Sequence, residues 1–359
     1  MQTFFYSILH FMTDGLCAFA LYARFAGNER WALYILLYDF CAFVLQMPFG
    51  ALVDVLKVRM PEKAAKLPFW CALSGAVLTA AGAFLHPAVL GVGNALFHVG
   101  GGIGTITEDR EHRLEGAALG IFVAPGAMGL YLGTVAGQLH DGAWNLRALL
   151  VIAAVYLLLF LVFWMVSRKR ESGEQNVRLR DRDTVSVPVR KTAWPAVAAA
   201  ALCFLVVMLR SYAGFAVVFS WKTGFTAGFI CTLAVVLGKM AGGLLAARFG
   251  AERVMTVSLV LSALGYLFSD VPAAGVAALF FFNMTMPVTL YLIADRFRGL
   301  EGFSFGLLTV ALFLGVLPTF FGTAALLPGR WLGAAVSLLS LLMLLASVRL
   351  LRREKRWKS

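Results

Sequence analysis

Runs of roughly twenty apolar residues recur along the chain with only short polar breaks, and no other feature restricts its fold as strongly. A segment of that length lies in hydrocarbon only if its backbone N–H and C=O groups bond within it, which selects the α-helix. Twelve runs can be read, at 4–25, 31–53, 67–85, 87–107, 115–138 and 146–167, then 194–219, 224–247, 253–269, 272–295, 303–325 and 331–350. Only 14% of the 359 residues are charged and 60% are hydrophobic, against about a quarter charged in soluble domains. An ordinary soluble protein is excluded, and an all-α integral membrane protein is expected. The first run contains His10 and Asp14 and lacks a basic leader, so it reads as a retained helix.

The basic excess, 31 Lys and Arg against 19 Asp and Glu, raises the question of nucleic acid. The positions of those residues answer it. Counted on alternate sides of the twelve runs, 24 of the 31 fall on one side, so the excess is a topological label. Both termini are expected in the cytoplasm, in a bacterial inner membrane, with lipid and not nucleic acid as the surrounding partner. Cys17, Cys41, Cys71, Cys203 and Cys231 lie inside apolar runs without Cys-x-x-Cys spacing, so packing is expected of them and no disulfide framework or metal knot.

A polar stretch divides the runs into two sets of six. The expected organisation is a six-helix bundle over 1–167, a cytoplasmic linker over 168–192, a second bundle over 193–351 and a basic tail over 352–359. The end of run 2, from Gln46 through Gly50 to Asp54, aligns with the end of run 8, from Lys239 through Gly243 to Ala247, at a constant offset of 193. Such a repeat is what two parallel six-helix halves leave in a sequence.

These segments carry a resemblance to the major facilitator superfamily. Gly50, Leu52, Asp54 and Arg59 are similar to its loop motif after helix 2, and Gly243, Leu244, Arg248, Gly250 and Arg253 to the copy after helix 8, with Ala247 in place of the acid. Gly120, Pro125, Gly126, Gly129 and Gly133 in run 5 resemble the family's antiporter signature. Leu9–Asp14 and Gly91–His98 resemble the corresponding helices of the fosmidomycin-resistance efflux branch. The resemblance implies the major facilitator fold, with twelve helices in two pseudo-symmetric halves, helices 1, 4 and 7 lining a central cavity, and Asp54, Arg59, Lys239 and Arg248 near the gating loops.

An ionisable side chain at bilayer depth costs about 2.5–3.5 kcal/mol on insertion scales, so each needs a reason. His10, Asp14, Asp39, His98, Arg210 and Lys239 are the six inside runs. His10 and Asp14 are four apart and share a helix face. An imidazole and a carboxylate in a partly wet cavity can be tuned to titrate near physiological pH. His10, Asp14 and His98 are therefore read as a proton-coupling group, weighed against a polar network that merely locks two helices. Asp39 reads equally as a second proton site or as a partner for Arg210. Arg210 can bind a carboxylate or phosphonate bidentately, or close an ion pair between halves. Tyr212, Asn94 and Asn283 are candidate substrate contacts, although amides also bind helices together. Pro287 and Pro318 are expected kinks.

The expected function is secondary active transport of a small anionic or zwitterionic organic solute by alternating access. It would be proton-coupled, with export favoured by the run 5 signature, and the protein would act as a monomer without a cofactor. A divalent-metal carrier using His10, Asp14 and His98 is the alternative within transport. A membrane-embedded enzyme with a His–Asp base, or a receptor, is the alternative outside it. No nucleophile motif accompanies the pair and no nucleotide-binding loop is present, so an enzyme is not expected.

Overall fold

The computed structural model describes residues 2–139, 142–178, 194–322 and 327–356, all in helices and short connections. The helices that form correspond to the apolar runs: α1 Gln2–Phe25, α2 Trp31–Arg59, α3 Leu67–Leu85, α4 Pro87–Glu111, α5 Ala117–Gln138 and α6 Asn145–Ser167. They are followed by α7 Trp194–Ala216, α8 Gly224–Phe249, α9 Ala251–Leu267, α10 Pro272–Arg296, α11 Glu301–Phe320 and α12 Gly329–Arg352. Eleven of the twelve are long and apolar enough to span a membrane. The other, α9, has 17 residues and is about 26 Å long at 1.5 Å per residue, a little under the hydrocarbon thickness. The chain is an integral, multi-pass membrane protein.

Helix α4 runs four residues past expectation, to Glu111, α7 and α11 end early, at Ala216 and Phe320, and the two largest differences are in α2 and α6. Helix α2 continues to Arg59, because Asp54 and Lys57 are accommodated against α11 and need not end it. The helix containing α6 continues to Arg178, into the stretch expected as a linker, since no proline or glycine cluster stops it at 168. The rest of that linker, 179–192, and the last three residues of the tail lie outside the described residues.

Helices α1, α3, α4, α5 and α6 pack together, as do α7, α9, α10, α11 and α12. The packing relies on small residues, as expected where lipid removes the hydrophobic drive between helices. The two halves of the chain meet along α2 with α11 and α5 with α8. Each crossing places glycine on glycine: a Cβ on Gly50 would stand 2.9 Å from Gly302 Cα, and one on Gly243 would stand 2.9 Å from Gly120 Cα. Gly50 and Gly243, paired by the internal repeat, thus make equivalent contacts with the opposite half. Four of the five cysteines are buried, Cys71 is half-buried, and all five are free thiols.

Three helices carry defects that later matter. Pro125 splits α5 after Val123 because it has no N–H and its ring displaces the preceding turn. Pro287 accompanies a break in α10 after Asn283. Helix α2 contains a π-helical turn, Phe40–Val44, immediately after Asp39. Pro318 lies inside the last turns of α11.

Candidate functional site

The break in α5 exposes backbone oxygens that an unbroken helix would use. Pro125 has no N–H for Ile121 O, and the next two carbonyls, of Phe122 and Val123, also turn outward. Ser7 Oγ, whose one O–H is shared with Thr3 O at 2.6 Å, reaches Ile121 O at 3.1 Å, His10 Nδ1 donates to Phe122 O at 2.7 Å and Lys239 Nζ to Val123 O at 3.3 Å. One proline therefore gathers two side chains of α1 and one of α8 around the same half-turn. The π-turn of α2 acts similarly. Thr309 of α11 donates to Phe43 O at 2.9 Å, and Gln46 Nε2 donates to Ala42 O at 2.6 Å.

With His10 Nδ1–H held by Phe122 O, its Nε2 faces into the bundle. It lies 3.1 Å from Asp14 Oδ2 and 2.9 Å from His98 Nε2. His98 is held in the same manner, its Nδ1–H donating to Asn94 O at 2.9 Å, and its Nε2 is 3.6 Å from Asp14 Oδ1. Asn94 Nδ2 completes the group by donating to Asp14 Oδ1 at 3.1 Å. Both rings are committed to the Nδ1–H form by carbonyl acceptors, so neutral rings would oppose two Nε2 lone pairs. A single proton shared between nitrogens 2.9 Å apart would relieve that opposition. The Asp14 carboxylate, 3.1 Å from His10 Nε2 and 3.6 Å from His98 Nε2, is placed to balance the charge such a proton would bring. Gly126 leaves the necessary room, since a Cβ there would stand 2.5 Å from Asp14 Oδ2 and collide with His10 Nε2.

The same atoms are of the types that ligate a divalent metal. His10 Nε2, His98 Nε2 and an Asp14 oxygen lie within 4.8 Å of one another. Two nitrogens bound to a tetrahedral zinc at about 2.05 Å stand about 3.3 Å apart. The observed 2.9 Å is the spacing of a hydrogen bond, and a metal would require the rings to part.

Arg210 of α7 is 8% exposed, its guanidinium 5.1 Å from the centroid of Phe282 and its Nε without an acceptor. Among the described residues it has no ion pair, and the Asp39–Arg210 pair weighed from the sequence is not formed. Asp39 itself is half-buried beside the π-turn. Lys239, whose Nζ reaches Val123 O, has both Asp14 and Arg210 among the charges acting on it.

Other expected positions resolve differently. Asn94 is engaged with Asp14 and Cys17, and Asn283 Nδ2 donates to Leu279 O within its own helix at 2.9 Å, steadying the break in α10. Tyr212 is half-buried beside the α7–α11 contact. Of the loop-motif residues, Asp54 is buried and accepts from Gly302 N at 3.0 Å and Phe303 N at 2.8 Å, capping α11 from the other half. Arg59 and Arg248 are exposed and make no ion pair between the halves among the described residues. Lys57 and Arg110 take that role: Glu301 accepts from Lys57 Nζ at 3.3 Å and Arg110 Nη1 at 2.5 Å, and Arg110 also reaches Ala294 O at 2.9 Å.

Glu301 was not among the residues singled out from sequence, nor was Asp109, which accepts from Gly116 N and Ala118 N at 2.8 and 2.9 Å to cap α5. A readable signal exists for Lys57. Gly50, Asp54 and Lys57 form an i, i+4, i+7 stripe on the face that meets α11, whereas Arg59, five residues after Asp54, points away.

No protein-family model matches the chain, and no curated protein matches it by sequence. Its similarity to solved structures is extensive. The crystal structure of an E. coli fucose:proton symporter matches with a TM-score of 0.59 at 13% identity, over 97% of this chain and 96% of that one. A bacterial homologue of the iron transporter ferroportin, in an outward-facing state, matches with a TM-score of 0.56 at 17% identity, over 99% of this chain and 98% of that one. End-to-end agreement with two transporter structures, together with the helix order and the paired crossings between halves, identifies the fold of this chain as the major facilitator fold.

Proposed function

We propose that the protein is a secondary active transporter that moves a small organic anion or zwitterion across the membrane by alternating access of halves 1–167 and 193–351. The observation that carries the anionic substrate is Arg210, a buried guanidinium with no carboxylate partner among the described residues. A charge at that depth is retained for a ligand or a counter-ion, and a bidentate carboxylate or phosphonate satisfies it. Proton coupling is supported by the Nε2–Nε2 geometry of His10 and His98 over Asp14. Loss of the shared proton leaves the Asp14 charge uncompensated near Lys239, drawing the Lys239 ammonium toward it and away from Val123 O of the opposite half. Release of a proton thus bears on a contact between halves.

Basic residues at the ends of α2 and α4 and around the termini support placing that end in the cytoplasm. The contacts of Asp54, Lys57, Arg110 and Glu301 then close the cytoplasmic side. The glycine- and proline-rich α5 supports antiport and export. A divalent-metal cargo is the second reading, favoured by the convergence of three ligand atoms and opposed by their spacing. An enzyme is disfavoured because, among the described residues, no serine or cysteine hydrogen-bonds to either histidine of the group.

Proteoliposomes under an imposed pH gradient test the proposal with a panel of carboxylates, phosphonates and organic cations. Gradient-driven flux of an anion is expected in the wild type. Flux is expected to be abolished in Arg210→Met, and to persist but lose its response to the gradient in His98→Ala and Asp14→Asn. Flux insensitive to pH in the wild type would overturn the coupling. Transport of Fe²⁺ or Mn²⁺ that requires all three side chains would favour the metal reading.

A further inference from the structure

A cavity of about 270 Å³ lies away from the histidine group at the flank of the first half, where the ends of α1, α2, α3, α4 and α6 converge. Tyr6, Lys57, Lys66, Phe69, Trp70 and Trp164 line it. Four observations define its chemistry. Its walls are aromatic, and Trp70 is exposed on the outer surface, as tryptophans at a membrane interface are. Its polar side carries two ammonium groups, Lys57 and Lys66, in a segment that also contains Arg59 and Lys63. Tyr6 is only 2% exposed, yet it lines the cavity and lends it a hydroxyl. That hydroxyl sits over Gly104, which lines the cavity and has no side chain to cover it.

We propose that this cavity holds the headgroup of an anionic phospholipid. A volume just below the range of drug-sized ligand pockets suits a phosphate and glycerol while leaving the acyl chains in the bilayer. The phosphate lies between Lys57 and Lys66, the glycerol hydroxyls meet Tyr6 Oη, and Trp70 and Trp164 flank the chains at the interface. In the orientation proposed above, this end faces the leaflet that carries anionic lipid.

The site has a consequence for the rest of the molecule through Lys57. Its ammonium is 3.3 Å from Glu301 Oε2 and is part of the bridge between halves. A phosphate beside Lys57 competes with Glu301 for that ammonium, so anionic lipid weakens the bridge and favours opening at this end.

Native mass spectrometry of the full-length protein, released from nanodiscs containing equal phosphatidylglycerol and phosphatidylcholine, tests the assignment. One phosphatidylglycerol is expected to be retained in preference to phosphatidylcholine. Tyr6→Phe, which removes a single oxygen, and Lys66→Gln are each expected to lower that occupancy about fivefold. Phosphatidylcholine occupancy should not change. Equal retention of the two lipids, or undiminished phosphatidylglycerol in the double variant, would overturn the proposal. So would displacement of the lipid by millimolar inorganic phosphate, which would make the site one for a soluble anion. The readout requires neither transport nor a given orientation, so its failure is distinct from failure of the proposed function.

Discussion

Asp54→Asn is the sharpest probe of how the halves are held together. The carboxylate of α2 receives two N–H groups at the start of α11, from Gly302 at 3.0 Å and Phe303 at 2.8 Å. Asparagine preserves the shape, keeps one oxygen acceptor and turns an NH2 toward the second N–H. The variant therefore loses one hydrogen bond to a charged group, worth about 1.5–3 kcal/mol, and the attraction of a carboxylate for a helix N-terminus, worth about 0.3–1 kcal/mol. The sum is about 2–4 kcal/mol, or roughly 30- to 1,000-fold in the opening equilibrium of that end. Hydrogen–deuterium exchange of a peptide over 300–306 reads this directly, because the two amides that lose protection lie within it. Asp109→Asn supplies the internal control. It removes the equivalent cap from Gly116 and Ala118, so 116–120 should exchange faster while 300–306 is unchanged. Wild-type exchange at 300–306 in Asp54→Asn, with 116–120 responding normally in the control, would refute the inter-half role of Asp54.

Three further outcomes are expected. Glu301→Gln leaves Lys57 and Arg110 facing a neutral partner at a position only 6% exposed. The cost is up to about 3 kcal/mol, seen as easier opening of the same end and faster exchange of its loops. Gly126→Ala puts a methyl against Asp14 Oδ2 and His10 Nε2. Overpacking of about 1–3 kcal/mol should appear as a modest fall in Tm with loss of pH-gradient-driven flux, and unaltered flux would count against the geometry of the group. Pro125→Ala restores an N–H for Ile121 O and straightens α5. Tm should rise by the equivalent of up to about 3 kcal/mol while His10 loses its carbonyl partner and the gradient response weakens, whereas a lower Tm would argue against the kink as a source of strain.

The reach of sequence reasoning differs between the parts of this protein. Helix number and most helix ends were legible because hydropathy is a local property and bilayer thickness sets a length. The i, i+4 relation of His10 and Asp14 was legible because helical periodicity is local too. The 193-residue offset located Gly50 and Gly243, which do make matching crossings. Glu301 was not legible, since an acid opening a helix looks like an ordinary interfacial residue until α2 and α4 place Lys57 and Arg110 on it. Arg59 and Arg248 matched a motif by position, but each lies five residues beyond its motif contact, on the wrong side of its helix.

What the chain determines by itself, then, is a set of apolar helices, their order, and the few polar side chains that the membrane would not tolerate without cause. Proline at 125 even specifies which carbonyls are freed. Only the tertiary structure decides that Ser7, His10 and Lys239 take them, that His98 arrives opposite His10, and that Arg210 is left without a carboxylate among the described residues. The reason is physical: a lost backbone bond or a buried charge is written in the local sequence, whereas its partner is supplied by helices up to a hundred or more residues away, whose approach depends on packing across the whole bundle.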